Sequence, residues 1–259
     1  MDRPPPADLL SVAREAAAAG AEVLVPRFGR ERATGAKSSP TDVVSEADFA
    51  SERAIRELLA ARRPDDGILG EEGTGDVPGS TGLRWVVDPL DGTVNYLYGL
   101  PQWCVSVAVE DGERTPAGVV HDPVRGEAFC ATADGPATFD GEPLRGSART
   151  ELARALVATG FGYESDVRRV QAAAVARLLP EVRDIRRAGS AALDLAWLAA
   201  GRLDAFYERG VKHWDVAAGL LVCERAGLYV RHLEARDGAP PGVLVAPEAL
   251  LHTLLEQGL

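Results

Sequence analysis

Residues 85–96 read WVVDPLDGTVNY. The apolar run Trp85-Val86-Val87 delivers two carboxylates, Asp88 and Asp91, onto a Pro/Gly turn that then presents Gly92 and Thr93. Carboxylate oxygens suit a hard divalent cation such as Mg²⁺. Glycine lets the backbone come close to a bound group, and Thr93 adds a hydroxyl and an N–H. Acids for a metal, with backbone N–H groups beside them for an anion, point to metal-assisted phosphate chemistry.

Further acids stand at the ends of expected elements. Glu71 and Glu72 follow Gly67-Ile68-Leu69-Gly70, which reads as a strand end, and Asp215 opens the helical stretch WDVAAGLLVCERAG. Asp48 begins a helix expected over 45–62; it lies seven residues before Ile55 and so near the same buried face. Singly, each has an ordinary role: Glu71 as a solvated turn residue, Asp215 as a helix cap, Asp48 as a dipole or cap interaction. Gathered at element ends, where sites are built, they extend the Asp88–Asp91 pair into a constellation.

The elements that must carry these residues follow from periodicity. Residues 8–26 form an amphipathic pattern with Asp8 as its cap and Leu9, Ala13, Ala16, Gly20, Val23 and Leu24 on one face. Residues 29–41 read as a connector, and the helix at 45–62 carries Ile55, Leu58 and Leu59 on its core stripe. Short β-rich segments at 84–88, 103–110, 115–121 and 126–131 suggest a largely antiparallel sheet against these two helices. After about 150 the texture alternates: strand 182–187, helix 190–200, strand 204–208, helix 215–226, strand 243–246 and a closing helix at 248–256. The expectation is one domain of the mixed α/β class, with an α+β lobe at about 1–145 and an α/β lobe at about 146–259.

Of the 259 residues, 46% are apolar, enough for a sizeable core, and the formal charge is −11. That charge argues against non-specific nucleic-acid binding, which needs a basic footprint. It leaves an anionic substrate open, because bound cations reverse the local field. No apolar run approaches the ~20 residues of a membrane span. The start, MDRPPPADLL, lacks a secretory core, so the reading is cytoplasmic. Cys104, Cys130 and Cys223 form no CxxC pair and read as small buried hydrophobes.

With these motifs in hand, the chain resembles the inositol monophosphatase family of Mg²⁺-dependent, lithium-sensitive phosphatases. The likeness rests on WVVDPLDGTVNY at 85–96 and WDVAAGLLVCERAG at 214–227, with KSSPTDVVSEAD at 37–48 and GEEG at 70–73. The stretch RRAGSAALDLAWLAAGRLDAFYE at 186–208 is most similar to bacterial inositol-1-monophosphatases. The resemblance implies an αβαβα layered sandwich and a homodimer acting on a small phosphate ester with two or three Mg²⁺ ions.

It also implies roles residue by residue. Glu71, Asp88, Asp91 and Asp215, with the carbonyl of Leu90, match metal ligands. Gly92 and Thr93 match the N–H groups that hold phosphate, with Asp91 and Asp215 also at the substrate. Thr93 and Asp48 match the pair that orients and activates water, and Glu72 an acid that helps position metal or water. Gly189, Ser190, Ala191 and Glu208 match contacts to the alcohol part, and Lys37 a lysine at the mouth. His213, beside Trp214-Asp215, reads as packing or solvated rather than a ligand, and the likeness fades after Gly227.

The expected reaction is hydrolysis of inositol 1-phosphate by metal-activated water, without a covalent intermediate or an organic cofactor. Histidinol phosphate, fructose 1,6-bisphosphate or a 3′-phosphonucleotide are alternative substrates on the same acids. A haloacid-dehalogenase-type phosphatase would need Asp-x-Asp on an early strand, where this chain has Asp-x-x-Asp in mid-chain. A non-catalytic metal-binding or regulatory protein should have lost a ligand or the Thr/Asp pair; none is missing.

Overall fold

The computed structural model describes residues 4–36, 43–73 and 75–258. Its first half opens with two packed helices, α1 (Pro6–Leu24) and α2 (Glu46–Arg62), and the short strand pair β1 (Gly35–Ala36) and β2 (Val43–Val44). Strands β3 (Gly67–Gly70), β4 (Asp76–Val77) and β5 (Arg84–Asp91) follow, then the one-turn helix α3 (Thr93–Leu97). Strands β6 (Cys104–Glu110), β7 (Ala117–Asp122), β8 (Glu127–Thr132), β9 (Thr138–Phe139) and β10 (Glu142–Pro143) complete an eight-stranded sheet ordered β10-β9-β8-β7-β6-β5-β3-β4. Its pairs are antiparallel except β3 with β5.

The second half supplies β11 (Leu156–Thr159), α4 (Ser165–Leu178), β12 (Asp184–Arg186), α5 (Ala191–Ala199), β13 (Ala205–Arg209) and α6 (His213–Arg225). It closes with β14 (Tyr229–Leu233), β15 (Gly242–Ala246) and α7 (Glu248–Glu256). The second sheet runs β12-β11-β13-β15-β14, parallel on the β12 side and antiparallel on the other.

Strand alternation builds the layers. Along β5 and β6, Trp85, Val87, Val105, Val107 and Val109 pack with Leu9, Ala13, Ile55 and Leu59 of α1 and α2. The intervening Val86, Cys104 and Ala108 point the other way, into a core with Leu193, Leu195 and Leu198 of α5 and Ala218 and Val222 of α6. On the second sheet, Ala158, Phe206, Val243 and Val245 face that same middle layer. Val157, Tyr207 and Leu244 face outward onto Ala174 and Leu178 of α4 and Leu250 and Leu254 of α7. Period-two side-chain reversal on two sheets thus gives helix, sheet, helix, sheet, helix: the αβαβα sandwich. Because both faces are covered, the central strands read as nearly unbroken apolar runs.

Some expectations change. Asp8 does not cap α1: the helix starts at Pro6, with Pro5 at its cap, and Asp8 sits within the first turn. Proline at the first helical positions is pre-set for the turn, and an acid there still meets the positive end of the helix dipole. The turn around 93–97 contains a helical turn, β11 and β14 were not separately expected, and the Ala-rich stretch 172–176, which reads as helical, lies within the longer α4. All three cysteines are buried and unpaired. No helix among the described residues is long and apolar enough to cross a membrane.

Candidate active site

Residues three apart on a regular strand point to opposite faces. Asp88 pairs with Ser106 and Asp91 with Cys104, so three steps on β5 match two on β6. The extra residue is a β-bulge, and it turns Asp91 to the α5–α6 side that Asp88 already faces. The bulge is pinned locally. Leu90 N–H donates to Asp88 Oδ1 at 3.0 Å, and Ser51 Oγ of α2 donates to the Pro89 carbonyl at 2.9 Å.

Asp91 is joined to the second half of the chain. Its Oδ2 accepts from Ser190 Oγ at 2.7 Å and from the Ala192 N–H at 2.6 Å, at the start of α5. Ser190 also caps that helix, accepting from Leu193 N–H at 3.4 Å. Its side chain is 1% exposed. The Ser190 hydroxyl, expected at the alcohol edge, therefore faces the Asp91 carboxylate.

Asp215 arrives on α6. That helix begins at His213, two residues earlier than expected, and Asp215 Oδ2 accepts from the Lys212 N–H at 2.7 Å. The helix start is tied to Asp88's partner on β6, since Ser106 Oγ donates to the Trp214 carbonyl at 3.4 Å. His213 Nε2 lies 2.6 Å from Glu110 Oε1, a pairing that accounts for this histidine without a ligand role. Glu71 comes from the turn after β3, whose parallel register with β5 sets Gly70 opposite Val87, next to Asp88.

The result is a knot of negative charge. Asp88 is held well above the usual carboxylate range by burial first, then by Glu71, Asp91 and Asp215. Asp91 is pushed up to about 6 by burial, against the lowering bonds from Ser190 and Ala192. Asp215 is raised by burial and then by Asp91 and Glu71. Among the described residues, no three acidic, histidine or cysteine groups are set as a finished metal cage. The acids are turned on one another and on nearby N–H groups. A hard, oxygen-only donor set with unrelieved repulsion is what a divalent cation would neutralise, so the residues fit Mg²⁺.

Beside the acids, Gly92 has φ 99°, a left-handed conformation natural only to glycine. A β-carbon there would also come within 2.8 Å of the Gln102 carbonyl. This kink starts α3, whose first N–H groups have no intrahelical acceptor. Thr93 Oγ1 donates to Asp48 Oδ1 at 2.8 Å, with the Leu90 carbonyl at 3.1 Å. Asp48, 1% exposed, is fixed on its other oxygen by the Ser45 N–H at 2.9 Å and the Ser45 hydroxyl at 2.6 Å. The structure thus joins Thr93 and Asp48 across 45 residues of sequence.

Gly189, at φ 97°, and Ala191 flank Ser190. Asn95 of α3 holds this loop, donating to the Ala188 carbonyl at 2.8 Å and the Gln102 carbonyl at 2.7 Å. Glu208 on β13 is pushed up to about 8 by burial, with Arg187 lowering and Asp91 raising it. Asp194 of α5 is buried and raised by burial, then by Glu208 and Asp91. Asn95, Asp194, Ser51 and Glu52 were not singled out from sequence. The signal for the last two was their spacing, three and four residues beyond Asp48 on one helix face. For Asp194 it was a lone acid in the apolar run AALDLAWLAA. Glu72 stands beside Glu71 on the turn and is taken up below; Lys37 lies outside the described residues.

Acids from the end of β5, the first turn of α6 and the turn after β3 converge beside the start of α3, an arrangement suited to metal-assisted phosphate chemistry. The family model described as "Inositol monophosphatase family" matches residues 6–258. An inositol-1-monophosphatase, SuhB, from Mycobacterium tuberculosis is 45% identical, over 93% of this chain and 89% of the relative. A Nus factor SuhB from Haemophilus influenzae is 35% identical, over 96% and 95%. The crystal structure of the extragenic suppressor protein suhB from Bartonella henselae superposes with a TM-score of 0.88 at 33% identity, covering 96% of this chain and 98% of that one. The chain belongs to the inositol monophosphatase family, whose members are generally metal-dependent.

Proposed function

We propose that the protein is a Mg²⁺-dependent phosphomonoesterase that hydrolyses inositol 1-phosphate to inositol and phosphate. The observation that carries this is the gathering of Asp88, Asp91, Asp215 and Glu71 from three separate elements into one electrostatically coupled group. These acids, with the Leu90 carbonyl, would hold Mg²⁺, which lowers the pKa of a bound water and offsets charge on the leaving oxygen.

The chain's own groups do the rest. The Thr93 hydroxyl gives its hydrogen to Asp48, so its lone pairs are left to accept a hydrogen from water and aim it. The N–H groups of Gly92 and Thr93 are placed to hold phosphate oxygens. Asp91 and Asp215 border the phosphate, and Glu72 helps position water or metal from the turn. On the alcohol side, the backbone of Gly189, Ser190 and Ala191 and the Glu208 carboxyl form the binding edge. A Glu208 raised to about 8 is largely protonated at neutral pH. A neutral carboxyl both donates to and accepts from hydroxyls, which suits a polyol better than the ammonium of histidinol phosphate.

A homodimer, lithium inhibition and a cytoplasmic setting belong to the same reading, supported by the family. The name of the Haemophilus relative, Nus factor SuhB, favours a second reading, a non-catalytic regulatory role. The complete acid set and the formed Thr93–Asp48 pair favour the phosphatase. A panel of phosphate esters assayed with Mg²⁺ separates the substrates. Inositol 1-phosphate should give the higher kcat/KM; a tenfold preference for histidinol phosphate, about 1.4 kcal/mol, would replace it, and no hydrolysis of any ester would favour the second reading.

A further inference from the structure

The first turns of α2 carry Ser45, Asp48, Ser51 and Glu52 in the buried layer beneath the site. Spacings of three and four set such residues on one helix face, and here the face is polar. Ser45 holds Asp48, and the other three side chains each grip a different segment. Asp48 takes the Thr93 hydroxyl and Ser51 takes the Pro89 carbonyl of the bulge. Glu52 takes the turn that bears Glu71 and Glu72.

The Glu52 grip is close on every side. Its side chain is 2% exposed. Oε2 accepts from the Glu72 N–H at 2.7 Å, and Oε1 accepts from the Gly73 N–H at 2.7 Å. Arg56 Nε, one turn along, donates to Oε1 at 2.7 Å, and its Nη2 reaches the Gly75 carbonyl at 3.3 Å. The turn is shaped to admit this pair. A β-carbon at Gly70 would stand 2.7 Å from Arg56 Nη2 and 2.8 Å from the Glu52 carboxyl carbon, and one at Gly73 would run into Glu52 Oε1. A buried carboxylate is costly unless hydrogen-bonded and paired. Here the bonds that satisfy it fix the backbone directly after Glu71, a residue whose charge already bears on Asp88 and Asp215.

We infer that Glu52, braced by Arg56, is a positioning residue for the Glu71 turn and sets the affinity of the acid cluster for its divalent cation. This rests on the metal-dependent reading above. Glu52 touches neither metal nor substrate. It acts by holding the Glu71 backbone in the place from which its carboxylate meets Asp88, so that the cation does not have to order the turn as it binds.

The test uses Glu52→Gln, which keeps the shape but turns an NH₂ group toward N–H donors, and Arg56→Gln, which removes the brace alone. Arg63→Gln is the control: Arg63 pairs with Asp66 at 2.8 Å, past the far end of the same helix. The readouts are calorimetric titration of the metal-free proteins with Mn²⁺, hydrogen exchange at the 72 and 73 amides, and melting in EDTA. In Glu52→Gln the Mn²⁺ Kd should rise about 10- to 100-fold, the range for loss of a group that holds a ligand. Both amides should exchange faster, while Arg63→Gln should bind as wild type. Arg56→Gln should weaken Mn²⁺ in the same direction by a smaller factor. Unchanged Mn²⁺ affinity in folded Glu52→Gln overturns the inference, even if its melting point falls. If that variant does not fold, unchanged affinity in Arg56→Gln does so. Because titration needs no turnover, absence of phosphatase activity in the wild type would count against the proposed function and not against this inference.

Discussion

Ser190 Oγ donates a 2.7 Å hydrogen bond to Asp91 Oδ2, joining the bulged end of β5 to the first residue of the α5 cap. One hydroxyl therefore both starts a helix in the second half of the chain and orients an acid from the first. Ser190→Ala should leave Asp91 Oδ2 with the Ala192 N–H and the weaker Cys104 thiol. The expected loss is about 1–2 kcal/mol of stability, from a cap and a bond to a carboxylate. The apparent Mg²⁺ requirement should rise roughly tenfold. Denaturant melts and activity against Mg²⁺ concentration measure both; an unchanged Mg²⁺ requirement would show that the bond does not aim Asp91.

Asp91→Asn removes a charge and little shape, since one amide oxygen can still accept from Ser190 and Ala192. Turnover should fall by several orders of magnitude. In EDTA the variant should melt no lower than wild type, and higher if relief of the mutual repulsion dominates. Near-normal phosphate release would remove Asp91 from the metal site.

Thr93 and Asp48 should behave as one unit. Thr93→Ala and Asp48→Asn each break the 2.8 Å contact or its charge, so each should cut kcat strongly. The double variant should be hardly slower than the worse single one, because groups that act together are not additive. Multiplying effects in the double-mutant cycle would separate the two roles.

The acids also predict a pH dependence of metal binding. Asp91 rises from the ordinary 3.8 to about 6 without a cation, and Asp88 and Asp215 are raised as well. Raised folded-state values favour the protonated fold. The stability they lend the metal-free protein is complete below about pH 4 and is lost as pH rises through about 6. Ligation needs the deprotonated acids. The rise in Tm on adding Mg²⁺ should therefore be small at pH 5 and larger at pH 7.5. An equal rise at both would mean that these carboxyls do not titrate with metal binding.

Much of this site could be read from the chain because its acids sit in dense, local motifs at element ends. Asp88, Asp91 and Asp215 all lie where the sequence placed them, on a strand end and a helix start. The bulge was not legible. Nothing in DPLD states that β5 gains a residue against β6, yet that gain sets which face Asp91 takes. The direction of Ser190 was hidden for a related reason, since a helix cap in a loop has no periodicity to fix its side. Ser51 and Glu52 read as ordinary helix residues because their partners, Pro89 and the 72–73 amides, are 38, 20 and 21 residues away. Only the Ala-rich 172–176 part of α4 was legible, because arginines interrupt its apolar stripe before it, and β11 escaped because LVAT is only four residues long.

The most direct measurement is phosphate release from D-myo-inositol 1-phosphate by protein stripped of metal, first in excess EDTA and then with Mg²⁺ restored. No release in EDTA and recovery with Mg²⁺ is the expected result, because clustered acids without a cation cannot hold or activate the reacting groups. Undiminished release in EDTA would contradict the metal-dependent assignment of Glu71, Asp88, Asp91 and Asp215.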